Sequence, residues 1–253
     1  MIYQFFLKLF FIPKLFNLIF ICGMPKSGST FLRKTMEEIT GYKARNWLLY
    51  GGRREQEIDF LAIMFNSFGN KIITQHIIGH EFSLKIFKAY NIKPIVTLRS
   101  IFDIVISTRD HFLKESCELS QAYIEKNEFS KLSKEKQYDL IIDLVVPWHI
   151  NFFISWKKSK EQYKNILFVN FEDLTLKKEK TINRILKHLG LNYPQEKIIN
   201  IIKKTSGSKG TRFNKGLSGR GFKELNKNQI ERIKRFASYY PEIDFTDIGI
   251  TNQ

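Results

Sequence analysis

The sequence feature that most constrains the fold is a glycine-containing loop at residues 22–31, CGMPKSGSTF. The apolar run at residues 18–21 before it is typical of a buried strand, and residues 32–39 after it carry apolar side chains at helical spacing. The first backbone amides of a helix have no acceptor within that helix. An anion bound at the start of the helix therefore gains hydrogen bonds and the positive end of the helix dipole. Strand, loop and helix in this order predict a site for a phosphate or a similar anion.

The residues of the loop suit such a site, but they depart from the nucleotide-triphosphatase pattern G-x-x-x-x-G-K-[ST]. Gly23 and Gly28 have the spacing of that pattern, yet Ser29 stands where the lysine should be. The lysine lies upstream as Lys26, where it adds a mobile positive charge. Gly28 permits close approach of the backbone, and Ser29 and Thr30 add hydroxyl groups. A P-loop nucleotide kinase or NTPase is therefore an alternative, which the displaced lysine disfavours. Magnesium-dependent turnover of ATP would favour it.

The composition limits the classes of function open to the chain. A length of 253 residues with 43% hydrophobic content suits one α/β domain and excludes a disordered chain. Cys22 and Cys117 lie far apart without metal-ligand spacing, so a reducing compartment is expected. The formal net charge of +16 favours an anionic partner. Because the lysines are scattered and no zinc-finger, RNP-like or arginine-rich motif occurs, no nucleic-acid partner is expected, and a basic membrane- or nucleic-acid-binding protein is the non-enzyme alternative.

Residues 1–17 form an apolar, aromatic segment that leads into the core, and residues 18–253 are expected to form a single domain. Lys8 and Lys14 interrupt the segment and Pro13 breaks any helix, so it is too short to span a membrane. No small-residue cleavage site of a signal peptide follows it. One interpretation is a strand or helix packed on the core, and the other is an interfacial membrane anchor. We expect a cytoplasmic protein, peripheral to a membrane if the second interpretation holds.

A second group of polar residues follows a strand predicted over residues 93–99. Arg99 lies at the carboxyl end of that strand, where ligands bind in open parallel sheets. Ser100 is a predicted N-cap of the next helix. Asp103 and Ser107 are one helical turn apart and share a face of that helix.

These two groups together resemble the signatures of the sulfotransferases that use 3′-phosphoadenosine 5′-phosphosulfate (PAPS). Residues 25–31, PKSGSTF, are similar to the donor loop P-K-[ST]-G-[ST]-T-W, and residues 99–107, RSIFDIVIS, are similar to R-[ND]-P-x-D-x-x-x-S. The resemblance extends from residue 18 to the last helix. It implies an α/β fold, a three-layer sandwich with a central parallel sheet and a P-loop-like phosphate-binding loop. It also implies in-line transfer of the sulfuryl group from PAPS to an acceptor hydroxyl, with no metal required.

The resemblance assigns a set of donor-binding residues. Arg99 and Ser107 match residues that hold the 3′-phosphate, and Phe31 replaces a tryptophan that stacks on adenine. Asn214 stands where the family has an arginine, for which Arg212 and Arg220 are candidate replacements. The complete expected set is Lys26, Ser27, Gly28, Ser29, Thr30, Phe31, Arg99, Ser107, Arg212, Lys215 and Gly216.

The expected catalytic residues are Lys26 and His76. Sulfuryl transfer depends on positioning and charge neutralisation, so a cation such as Lys26 beside the bridging oxygen stabilises the leaving group. A histidine suits the base that deprotonates the acceptor at neutral pH. His76, near the end of a strand predicted over residues 71–78, matches the family histidine; His80, with Glu81 as a further base, is the rival. The acceptor stays open among a sugar, a lipid headgroup, a phenol and another small alcohol.

Further predictions concern the scaffold. Residues 138–158 are predicted to form one helix kinked at Pro147, and residues 58–68 another. A helix ending at Gly190 is expected, with Glu172 before it bonding loop amides or a nearby base. Three residues of the long helix are expected in the core: Trp148, His149 and Trp156. For His149 a functional role is the alternative.

Overall fold

A computed structural model describes residues 17–45, 56–58, 63, 69–115, 118–119, 122–206 and 218–251. Three sets of predictions lie outside the described residues. They are the apolar segment up to residue 16, the helix over 58–68 apart from Ile58 and Ile63, and the donor-binding candidates Arg212, Lys215 and Gly216.

A parallel sheet of five strands in the order β2-β3-β1-β4-β7 forms the centre of the fold. Its central strand β1 pairs with β3 on one side, where Ile19 lies opposite Ile72, and with β4 on the other, where Cys22 lies opposite Val96. A strand covered on both faces is apolar at nearly every position, as β1 is. The seven strands of the described chain are Leu18–Gly23 (β1), Lys43–Arg45 (β2), Lys71–Gln75 (β3), Ile95–Leu98 (β4), Glu118–Leu119 (β5), Ala122–Tyr123 (β6) and Leu167–Asn170 (β7).

Helices cover both faces of this sheet, and β5 and β6 form a separate antiparallel pair. The described helices are Ser29–Thr40 (α1), Glu81–Ala89 (α2), Ile101–Lys114 (α3), Lys126–Lys131 (α4), Lys134–Leu144 (α5), Val146–Gln162 (α6), Phe171–Leu176 (α7), Lys178–Leu189 (α8), Gln195–Ser206 (α9), Gly221–Glu224 (α10) and Lys227–Ser238 (α11), with a 3₁₀ turn at Thr246–Ile248.

Alternate side chains of β1 enter two separate cores, because successive residues of a strand point to opposite faces. Phe20 packs into a cluster that includes Phe87 of α2 and Trp156 of α6. Ile21 packs into a second cluster with Leu32 of α1 and Ile185 of α8. Helix layers on both sides of a parallel sheet confirm the predicted three-layer α/β sandwich.

The helix predicted over residues 138–158 is wrong in its extent, because the structure has two helices, α5 and α6, that meet at Val145. Pro147 lies in the first turn of α6, where its missing N–H removes no intrahelical bond, so it begins a helix instead of kinking one. By length and composition the stretch from Lys134 to Gln162 could cross a membrane, but 56% of its most apolar part is buried inside the protein. Trp156 and His149 are fully buried, as predicted, whereas Trp148 is partly buried against the same core.

Two predicted helix ends give different results. Gly190 ends α8 in the left-handed conformation with φ of 73°, which confirms that stop. Ser100 is the N-cap residue of α3, as predicted, but its side chain makes no capping hydrogen bond to the described residues. Strand β3 ends at Gln75 and β4 at Leu98, so His76 and Arg99 are each the first residue after their strands.

Candidate active site

The chain passes from β1 to α1 through residues 24–28 in a tight turn. Lys26 and Gly28 both have left-handed backbones, with φ of 68° and 84°. For a lysine this conformation costs about 1–3 kcal/mol, and such strain concentrates at functional sites. Gly28 is the N-cap of α1 and has no side chain that could bond the first amides there. The N-terminus of α1 therefore has amide donors for an anion, as the sequence predicts.

Ser27 supports this loop from within. It is fully buried; its hydroxyl donates to the carbonyl of Met24 and lies 2.6 Å from Oγ1 of Thr97. Its amide also bonds the Met24 carbonyl, at 3.1 Å. Ser27 is one of the predicted donor-binding residues, and its hydroxyl is already engaged inside the protein.

Ser29 and Thr30 begin α1 on different sides of the loop. A Cβ atom at Gly23 would lie 2.8 Å from the Cβ of Ser29, so the close approach of these two residues requires glycine. Ser29 is buried against that glycine, whereas Thr30 is partly exposed. Of these two predicted donor contacts, Thr30 has the more accessible side chain.

Arg99 joins the end of β4 to the loop. Its Nη1 donates to the carbonyl of Lys26 at 3.0 Å, and its guanidinium lies 4.1 Å from the ring centroid of Phe171. Burial lowers the pKa of this guanidinium, while the carboxylates of Asp103 and Glu172 act in the opposite direction. An arginine retains its charge in proteins, so the structure places a permanent positive charge next to the backbone of Lys26. Ser107, its predicted partner, is buried on α3.

Asp103, in the first turn of α3, bonds a turn at residues 218–221. Its Oδ2 accepts the amide of Gly219 at 2.8 Å, and its Oδ1 accepts the amide of Gly221 at 2.7 Å. The Ser218 hydroxyl lies 3.2 Å from Oδ2 of Asp103 and 2.8 Å from Oε1 of Glu172. Glu172 therefore bonds a hydroxyl of this turn, and its charge acts on the nearby base Arg99. Sequence reasoning missed the turn, although an acid in a helix's first turn and a glycine-rich segment were both visible.

Arg220 in the same turn is engaged elsewhere. Its Nη1 bonds Asp110 at 2.9 Å and its Nη2 bonds Glu224 at 3.1 Å. Burial lowers the pKa of this arginine, but the hydrogen bonds and charges of Asp110 and Glu224 together outweigh burial and raise the pKa above its ordinary value. These two ion pairs disfavour Arg220 as the replacement for the arginine missing at Asn214.

The two candidate bases have different surroundings. His76 places Nδ1 2.5 Å from the carbonyl oxygen of Gly23, at the end of β1. A carbonyl only accepts, so we assign the proton to Nδ1, which leaves the lone pair of a neutral ring on Nε2. His80 instead caps α2, with Nδ1 accepting the amide of Ser83 at 3.4 Å. Glu81 is paired on the surface with Lys85 at 2.7 Å. His76 therefore lies against the end of β1, the strand that leads into the loop, whereas His80 and Glu81 have local roles in α2.

His149, expected in the core with a functional role as the alternative, lies close to the loop and His76. Its Nδ1 donates to the carbonyl of Val145 at 2.9 Å. Burial lowers the pKa of His149 to about 4; the charge of His76 adds to this effect, and the backbone oxygens of Val145 and Pro25 oppose it. His149 is thus a neutral, buried ring next to the loop at residues 24–28. A histidine among aromatic residues gave no sequence signal for this position.

The low pKa of His149 predicts a specific loss of stability in acid. The unfolded ring takes up a proton below its ordinary pKa of 6.5, whereas the folded ring does so only near 4. The unfolded state therefore binds more protons in this window, and the free energy of unfolding falls as the pH decreases from 6.5 to 4. The expected total is about 3 kcal/mol, from the difference in pKa.

Urea unfolding between pH 4 and 7 would measure this loss. The control is His149→Asn, whose amide keeps a donor near Val145 but does not titrate, so its curve should be flatter by this amount. Equal pH slopes for the two proteins would contradict the assignment.

Two further predictions about the donor site concern Phe31 and metal ions. The ring of Phe31 is 1% exposed, and Nζ of Lys178 lies 5.9 Å from its centroid. Stacking of this ring on adenine stays a prediction, and it requires the residues that cover the ring to move away. In the part of the chain that the structure describes, no group of three or more His, Cys, Asp or Glu side chains could hold a metal ion.

Comparison with known proteins adds a family and a fold. Residues 17–215 match the sequence model of the sulfotransferase domain. No curated protein matches the sequence. Mouse sulfotransferase SULT7A1 complexed with PAP is similar in structure, with a TM-score of 0.67 and 16% identity over 91% of this chain and 87% of that one.

Two further solved structures share the fold. Retinol dehydratase in complex with androsterone and inactive cofactor PAP has a TM-score of 0.58 at 13% identity, over 93% of this chain and 82% of its own. Sulfotransferase STF9 from Mycobacterium avium has a TM-score of 0.53 at 10% identity, over 96% of this chain and 81% of its own.

Proposed function

Because the chain belongs to the sulfotransferase domain family and is a PAPS-dependent enzyme of that family, we propose that its loop at residues 24–31 binds the donor and that His76 activates the acceptor. The observation that carries this proposal is the contact between the two at Gly23. The Nδ1 of His76 donates to the Gly23 carbonyl at 2.5 Å, immediately before the loop. This bond holds the ring beside the loop with Nε2 as the basic atom.

The chain's own groups account for each step of the transfer. The amides at the start of α1 hold the phosphosulfate, and Nε2 of His76 removes the proton from the acceptor hydroxyl. The acceptor oxygen forms the new bond to sulfur while the bond between sulfur and the bridging oxygen breaks. Lys26 stabilises the negative charge that develops on that bridging oxygen, which leaves with adenosine 3′,5′-bisphosphate (PAP).

The proposed acceptor is a small molecule with a hydroxyl group. Retinol dehydratase, which shares the fold, has been solved in complex with androsterone and with retinol, two compounds of that type. A sugar or a lipid-linked hydroxyl is a finer proposal, which the net charge of +16 supports for anionic acceptors. A cytoplasmic location, with membrane contact through the apolar residues 1–17, is a further proposal of the same kind.

Calorimetric titration with PAP in EDTA, against ATP with magnesium, tests donor binding. We expect PAP to bind without added metal and to bind at least tenfold more weakly to Arg99→Ala, since a buried charge-assisted contact contributes about 1.5–3 kcal/mol. Binding of ATP with magnesium, but not of PAP, by the folded protein would make the kinase alternative the better one.

Transfer of radioactive sulfate from labelled PAPS to a phenol, a sterol, a simple sugar and a glycolipid in vesicles tests the acceptor. Product from the phenol or sterol alone supports the small-molecule proposal. Product only from the glycolipid would overturn it in favour of a lipid-linked acceptor.

A further inference from the structure

Asp103 is a buried carboxylate between two residues of the expected 3′-phosphate site. It follows Arg99 by four positions and precedes Ser107 by four, and its exposed fraction is 2%. A carboxylate this close to an anion site repels the ligand, so its presence needs another explanation. The sequence motif places the residue but does not say what it bonds.

Both oxygens of this carboxylate are used to hold the turn at residues 218–221. The amides of Gly219 and Gly221 donate at 2.8 and 2.7 Å, and the Ser218 hydroxyl lies at 3.2 Å. The turn is also pressed onto the start of α3, since a Cβ atom at Gly221 would lie 2.4 Å from the backbone carbon of Phe102. Bonds from amides to a carboxylate are stronger than those between neutral groups, and the bond from Gly221 is buried. Asp103 therefore fixes the position of the turn at residues 218–221 relative to the start of α3.

We propose that Asp103 is a positioning residue for recognition of the donor's 3′-phosphate. It does not touch the phosphate; it locks the N-terminus of α3, which Arg99 precedes and which carries Ser107, to the turn at residues 218–221. This inference rests on the proposed donor, PAPS. Its main consequence concerns the direction of an effect on binding. Removing the charge of Asp103 should weaken recognition of the 3′-phosphate, although removing a nearby negative charge should by itself strengthen it.

The test compares PAP with AMP, which lacks the 3′-phosphate, by calorimetry. The ratio of the Kd for AMP to the Kd for PAP measures what the 3′-phosphate contributes. In Asp103→Asn we expect this ratio to fall at least tenfold, because one hydrogen bond from an amide to a charged carboxylate is lost. The Kd for AMP should change by less than about threefold. The matched control is Asp110→Asn, on the same helix, which removes the charge of the ion pair with Arg220 but no bond to the turn's amides and should leave the ratio within about threefold.

Each outcome decides one question. A wild-type protein that does not prefer PAP over AMP would overturn the proposed donor, and with it the premise. A wild-type preference that is unchanged or larger in Asp103→Asn would overturn the positioning role alone. If Asp103→Asn does not fold, Ser218→Ala decides, since it removes one of the bonds to Asp103 and should lower the ratio two- to threefold. An unchanged ratio in that variant would also overturn the role.

Discussion

Replacing His76 with asparagine is expected to lower kcat by about 10²- to 10⁴-fold, the usual contribution of a positioned base. The amide of asparagine matches the position of Nδ1, so the bond to the Gly23 carbonyl, now 2.5 Å long, can be kept. What the variant lacks is Nε2. Steady-state kinetics should show the loss in kcat, with the KM for PAPS and the melting temperature close to those of the wild type.

His80→Asn is the matched control for this experiment. His80 caps α2 through the amide of Ser83, and asparagine is among the preferred N-cap residues, so the helix keeps its cap. This variant should retain wild-type activity. If His80→Asn is the slow enzyme and His76→Asn is not, the base is His80.

Replacing Lys26 with glycine is expected to change activity and stability in opposite directions. Loss of the cation beside the bridging oxygen should lower kcat by about 10²- to 10³-fold, as for the removal of one stabilising group in comparable sites. The backbone of Lys26 has φ of 68°, which strains a lysine and not a glycine. The free energy of unfolding should therefore rise by about 1 kcal/mol.

Lys26→Met separates these two effects. Methionine keeps a side chain of similar length and the same backbone strain, so it should lose as much activity as the glycine variant without its gain in stability. Urea unfolding and initial rates at saturating PAPS measure both quantities. A methionine variant with full activity would remove Lys26 from the mechanism.

The parts of the fold that depend on local pattern are predictable from the sequence. The apolar run of β1, the glycine loop and the helical spacing after it lie in one continuous segment, and the structure has them in that order. Gly190 ends its helix because only a residue tolerant of positive φ fits there. The kink predicted at Pro147 is wrong, because a proline inside an apolar run fits a kink as well as a new first turn.

The site is less predictable, because its parts meet through tertiary contacts. Ser27 has the residue type of a ligand contact, but packing against Thr97 turns its hydroxyl inward. The role of Asp103 depends on amides that follow it by more than a hundred residues. His149 adjoins the loop because α6 packs on the segment after β3, where the indole of Trp156 donates to the carbonyl of Ile77. Spacing in the sequence carries no information about such meetings.

The position of β1 has a consequence for how the protein is made. Its partners β3 and β4 begin at Lys71 and Ile95, and β7 only at Leu167, so β1 leaves the ribosome well before any strand that pairs with it. Until then the segment LIFICG has two unpaired edges and apolar side chains on both faces, which is the pattern of an aggregation-prone strand. Sheets closed by such distant pairings also fold slowly. The strand that carries the donor loop is thus the part of the nascent chain most in need of a chaperone.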